Sequence, residues 1–156
     1  MEKSTKKQIF TLTVNYDDPR WHEIREADYT SVGAGLTVER FPLQGSGEQK
    51  ITVQFVSFKG AVTTKEIISE IRRQGCRLPD RAETEALLQV VPEERENKVF
   101  FSLCGSIVKK GRNATIPCLS YFRKCHSLDL VRFDSLWGAP CLLAVRLPKE
   151  KVRKTK

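Results

Sequence analysis

Thr63-Thr64-Lys65-Glu66-Ile67-Ile68-Ser69-Glu70-Ile71-Arg72-Arg73-Gln74-Gly75, followed at once by Cys76-Arg77-Leu78-Pro79-Asp80-Arg81-Ala82-Glu83, is the stretch on which the fold turns. Thr63 and Glu66 have the spacing of a capping box. Ile67, Ile68 and Ile71 form an apolar stripe, Arg72 and Arg73 sit where cations favour a helix C-terminus, and Gly75 stands where a helix ends. The pattern predicts a helix over 64–74. Asp80 and Glu83 repeat the capping signature, and Ala82, Ala86, Leu87 and Val90 supply the apolar side of a second helix that must stop before Pro92.

Outward from this pair the period changes from helical to alternating. Upstream, Phe10, Leu12, Val14 and Tyr16 alternate with Thr11, Thr13 and Asn15, which predicts a half-buried strand. Asp18-Pro19 reads as the start of a short helix carrying Trp21, Ile24 and Ala27 or Asp28. Leu36 to Phe41 reads as a second strand, and Ile51, Val53 and Phe55 mark a third whose other face turns apolar at Val56 and Phe58. Downstream, strands are expected at Val99 to Leu103, Ser106 to Val108, Thr115 to Leu119 and Leu128 to Phe133. Residues 134–140 form a loop, and the closing Cys141 to Leu147 is apolar almost throughout, as suits a strand central in a sheet. Strands, a helix pair, then strands predict an α+β fold with a mixed, largely antiparallel sheet and two or three short helices. One compact domain is expected over 8–148, made of an N-terminal strand region (8–60) and the helix pair with its closing sheet (64–147).

Charge narrows the function. The 156 residues carry a formal net charge of +8, a value that invites an anionic partner. Its distribution says otherwise. Lys3, Lys6 and Lys7 against Glu2 give +2 over residues 1–7. Lys149, Lys151, Arg153, Lys154 and Lys156 against Glu150 give +4 over 149–156, so the body between keeps only +2. Two short basic, flexible tails on a nearly neutral domain are expected. No apolar run approaches the roughly 18–20 residues of a membrane span, and no apolar signal-peptide core follows the polar start, so a cytoplasmic protein with no membrane partner is expected. Five cysteines with no Cys-x-x-Cys pair argue against a zinc ribbon or redox dithiol. Cys104, Cys118 and Cys141 stand in apolar surroundings and read as reduced core thiols. Asn113-Ala114-Thr115, a glycosylation sequon in form, reads as a polar turn.

Gly75-Cys76-Arg77-Leu78-Pro79-Asp80-Arg81-Ala82-Glu83 resembles the Arg-Leu-Pro-Thr-x-x-Glu helix entry of bacterial C-type-lectin-like domains, including the formylglycine-generating enzyme group. Cys141-Leu142-Leu143-Ala144-Val145-Arg146 resembles their closing strand ending in Val-Arg. The resemblance spans residues 64–147 and implies that scaffold. With Glu39-Arg40-Phe41-Pro42 added, the whole chain also resembles a set of uncharacterised small bacterial proteins that carry no assigned activity. The lectin-like scaffold's best-known sites are missing here. Cys141 stands alone, where the copper-holding enzymes are expected to pair cysteines, and the Glu-Pro-Asn and Trp-Asn-Asp calcium ligands of sugar-binding lectins are absent.

No nucleophile elbow, His-Glu-x-x-His helix or phosphate-cradling glycine loop is present, and Cys125-His126 are neighbours on a strand, which point to opposite faces. No cofactor and no metal is indicated, and His22 reads as a surface residue. The leading expectation is a small non-enzymatic module that binds a protein or small ligand through Arg132, Asp134 and Trp137 on its long loop, with Trp137 as a core plug beneath that loop the competing reading. The alternative is a nucleic-acid-associated accessory protein, contacting phosphates through Lys109, Lys110 and Arg112 at a hairpin turn, Arg123 and Lys124, and the tails.

Overall fold

A computed structural model describes residues 9–90, 98–110, 113–138 and 141–148; both basic tails lie outside the described residues. The strands are β1 (Ile9–Asn15), β2 (Ser31–Val32), β3 (Glu48–Val56), β4 (Val62–Thr63), β5 (Val99–Leu103), β6 (Val108–Lys110), β7 (Asn113–Phe122), β8 (Cys125–Arg132), β9 (Leu136–Trp137) and β10 (Cys141–Arg146). The helices are α1 (Thr64–Arg73) and α2 (Arg81–Leu88). The fold is α+β, as the sequence predicts. One mixed sheet runs β1-β3-β10-β5-β7-β8-β2, with β6 added on β7, and β4 pairs with β9 separately. The β10–β5 and β2–β8 pairings are parallel and the others antiparallel. The apolar closing strand β10 is central, between β3 and β5.

The helices cover opposite faces because side chains alternate along each strand. Leu142 and Ala144 of β10 join Leu12, Val53 and Phe55 against Ala82 and Leu87 of α2. Leu143 and Val145 join Phe101 and Ile116 against Ile67, Ile68 and Ile71 of α1. A third cluster, around Phe41, Leu119 and Leu128, lies beneath the segment that leads into β3.

Local chemistry places both helices as expected. In α1 the Glu66 backbone N–H donates to Thr63 Oγ1 at 3.1 Å, and the Thr63 N–H donates to the Glu66 carboxylate at 2.9 Å. Its other end closes as a Schellman motif: the Cys76 N–H reaches the Ile71 carbonyl and the Gly75 N–H reaches Arg72, with Gly75 at φ +73° in the left-handed region that glycine enters freely. Asp80 and Glu83 make the second capping box.

Two expectations are corrected. Residues 19–28 form two 3₁₀ turns, Pro19–His22 and Glu26–Asp28, because the Asp18 carboxylate caps the Arg20 N–H in a tight turn and Glu23 then turns extended. Leu36 to Phe41 is not a strand. Leu36 and Phe41 are anchored in the core around a 3₁₀ turn over Val38–Arg40, and the Arg40 carbonyl accepts the Ser106 N–H at 2.8 Å. That docking depends on Gly105, where a Cβ would stand 2.4 Å from the Arg40 carbonyl oxygen and 2.5 Å from Pro117 Cγ. Gly105→Ala is therefore expected to cost about 1–3 kcal/mol, because backbone cannot move aside as a flexible side chain would. Urea unfolding measures it; a loss below about 0.5 kcal/mol would show that the 36–41 segment is loosely held.

Candidate functional site

The residues singled out in the sequence do not converge. Arg132 and Asp134 pair with each other at 2.9 Å, both well exposed. Trp137 turns the other way: its ring stacks on Phe101 with centroids 3.9 Å apart and planes 4° off parallel, and its indole N–H donates to Thr64 Oγ1 at 2.9 Å. The loop carrying it also closes the start of α1. The Ser135 and Phe133 carbonyls accept the Thr64 and Lys65 N–H groups, so the amides that could hold an anion at a helix N-terminus are already bonded. Strand pairing of Val62 with Trp137 and Thr63 with Leu136 completes the clamp.

The cations fall into two groups. Lys109 is exposed on β6, while Arg112 and the Lys110 side chain lie outside the described residues. Arg123 and Lys124 form the two-residue turn at the far end of β7, whose ten residues separate the groups by roughly 30 Å. Both turn residues have positive φ, 48° and 70°, in a hairpin position where Asn-Gly is the usual choice. Arg123 lies over the Phe122 ring, and Tyr121 packs toward the core beside His126.

Polar chemistry concentrates on α2 instead. Glu83 is fully buried; its carboxylate accepts from Arg77 Nη1 and Nη2 at 3.0 and 2.9 Å, the Tyr16 hydroxyl at 2.8 Å, the Asp80 N–H at 2.9 Å, and Arg146. Burial alone would raise this carboxyl, but the Arg77 pair and the Asp80 amide outweigh it and hold the group below its ordinary range. Asp80 beside it is pushed up, by burial and then by the Glu83 charge. A carboxylate with every lone pair used has no capacity left for a substrate proton. It fastens β1, β10 and the 77–80 loop to α2.

One turn further along, Tyr29 donates to Glu85 at 2.7 Å and accepts from Arg81 Nε at 2.9 Å. His126 Nε2 stands 3.0 Å from Glu85, close enough for an ion pair although its ring gains no hydrogen bond there, and its ring centroid lies 4.7 Å from that of Tyr29. Burial raises the Tyr29 hydroxyl first, and the Glu85 charge adds to it. No hydrogen bond or ion pair links His22 or His126 to Cys125 among the described residues, and His22 is exposed. Cys104 and Cys118 are buried thiols, the first pushed up to about 12 by burial; Cys141, expected in the core, is only half-buried because the chain enters β10 there. Among the described residues no group of three or more His, Cys, Asp or Glu side chains is placed to hold a metal, and no helix is long and apolar enough to cross a membrane.

No protein-family model, curated protein or solved structure matches this chain.

The site must therefore be read from shape. A cleft of about 290 Å³ opens between α1, the 76–79 loop and the segment joining β5 to β6. Ile68, Ile71, Leu103 and Ile116 floor it, Leu78 and Ile107 wall it, and Arg72 and Gln44 stand among the polar residues lining it. Arg72 makes no ion pair among the described residues, whereas neighbouring Arg73 is taken by Glu70. Sequence reasoning saw Arg72 only as a helix-end cation. The cleft joins segments up to about forty residues apart in the chain, so no local spacing announces it.

Proposed function

We propose that this chain is a small binding module, not an enzyme, and that its recognition site is the α1 cleft, accepting a small apolar ligand that carries an anion. The observation that carries the reading is an apolar floor open to solvent beside the unpaired guanidinium of Arg72. Such a site suits a ligand with one hydrocarbon part and one acidic end, and its volume is near the lower bound of ligand pockets. Further support is that the buried ionisable groups of α2 are spent on one another. On this reading the resemblance to C-type-lectin-like domains concerns the scaffold alone, with recognition moved from the 134–140 loop to the cleft.

Methyl NMR of the protein titrated with octanoate, with octylamine as the control, tests it. Octanoate is expected to shift the methyls of Ile68, Ile107 and Ile116, and Arg72→Glu to weaken it about tenfold, the scale of one lost charge-assisted contact. Equal binding of octylamine, or octanoate shifts confined to other methyls, would overturn the proposal.

A further inference from the structure

The two ends of the main sheet are finished differently. One end is β2, only two residues long. The other is β1, seven residues long, and among the described residues only β3 pairs with it. Natural sheets protect a long edge with charge, proline, a bulge or a covering element, because its unpaired N–H and C=O groups are a template for another strand. Ile9-Phe10-Thr11-Leu12-Thr13-Val14-Asn15 has no charged residue, no proline and no glycine, in a chain of which 29% is charged.

The register shows which groups are open. The Tyr16 N–H donates to the Gly47 carbonyl, so Tyr16, Val14, Leu12 and Phe10 direct their backbone groups at β3, and Asn15, Thr13, Thr11 and Ile9 direct theirs away. The Asn15 carbonyl is already used by the Trp21 indole N–H at 2.9 Å, which caps one end of the free edge. The groups of Thr13, Thr11 and Ile9 have no hydrogen-bond partner among the described residues. Beside them an open groove of about 420 Å³ runs between β1 and the end of α2, lined by Thr11, Thr13, Ala86 and Val90. Val90 and Ile9 are 46% and 43% exposed, two of the large hydrophobic side chains left in solvent.

Charge selects the occupant. In the sequence, β1 is preceded by Lys6-Lys7 and followed by Asp17-Asp18. A second copy of β1 laid antiparallel about Leu12 sets Thr11 opposite Thr13 and Ile9 opposite Asn15. It also brings the basic side of each copy to the acidic side of the other, twice over by symmetry. A parallel approach would align like charges. We propose that this chain forms a two-fold dimer by antiparallel pairing of β1 with β1 of a second copy, continuing the sheet across the interface. This is an isologous contact, self-complementary in hydrogen bonds, threonine pairs and charge. It does not depend on the α1 cleft.

Sedimentation velocity and light scattering on the full chain, from micromolar to submillimolar concentration, test it. The wild type is expected to approach twice its 17.8 kDa mass as concentration rises. Thr11→Lys with Thr13→Lys places like charges opposite one another and is expected to weaken dimerisation about tenfold. Thr11→Lys with Thr13→Glu places opposite charges there and is expected to restore it, which no general loss of folding would do; circular dichroism checks the fold of each. A wild type that stays monomeric throughout overturns the proposal, even if β1 captures a strand of some other protein. So does a dimer indifferent to both double variants.

Discussion

Glu83→Gln is expected to lower folding stability by about 3–5 kcal/mol, the largest loss of any substitution considered for this chain. The replacement keeps the volume and removes the charge. It leaves the Arg146 guanidinium, whose side chain is only 12% exposed, and the partly exposed Arg77 facing a neutral amide. It also replaces an acceptor of the Tyr16 hydroxyl and of the Asp80 N–H with a group half of whose polar atoms are donors. Arg77 is solvated enough to recover part of its loss, so most of the effect comes through Arg146. For a domain whose whole stability is about 5–15 kcal/mol, the variant should unfold many degrees below the wild type. The difference also depends on pH in a definite direction. The Glu83 carboxyl is held below its ordinary 4.5, so its contribution is complete above about pH 4.5 and is lost as pH falls through the lower folded value. Urea unfolding across this range should show the two proteins converging in acid. A constant difference would mean that the charge of Glu83 is not what stabilises the fold.

Trp137→Ala is expected to cost about 3 kcal/mol, for reasons that distinguish a core plug from a ligand contact. The indole loses its stack on Phe101 and its hydrogen bond to Thr64, and the β4–β9 pairing that holds the loop on α1 loses its anchor. A tryptophan presented to a ligand would cost less than about 0.5 kcal/mol on removal. Thermal unfolding in a Trp21→Phe background, followed by Trp137 fluorescence in the parent, separates the two outcomes.

Much of the fold was legible in the chain because it depends on near neighbours. The capping boxes at Thr63/Glu66 and Asp80/Glu83, and the alternation of β1 and β3, act over two to four residues, and the structure keeps all of them. The unbroken apolar run of β10 reports burial on both faces. The reading failed where a long-range partner outweighed local preference. Leu36 and Phe41 were spaced well enough for a strand, but the Arg40 carbonyl found the Ser106 N–H and the segment became a turn. Asp18-Pro19 announced a helix, yet Asp18 capped only two residues ahead.

The candidate sites were less legible. Arg132, Asp134 and Trp137 lie within six residues of one another, and the fold sends the indole into the core while the charged pair stays in solvent. Lys109 and the Arg123-Lys124 turn, close in sequence, stand at opposite ends of β7. Glu83 was read correctly as a cap, but its bonds to Tyr16, 67 residues away, and to Arg146, 63 residues away, left no mark in any local pattern.

By itself, then, the sequence determined the α+β class, the two helices and their ends, the central closing strand, and a β1 stripped of charge. Hydrophobic period and capping express short-range sterics and solvation, which the chain carries wherever it folds. Only the tertiary structure decided that β1 is an edge, that α1 and the β5–β6 segment enclose an apolar cleft beside Arg72, and that Glu83 gathers donors from three separate segments. Those properties belong to which surfaces meet, and sequence separation does not encode that meeting in any local spacing.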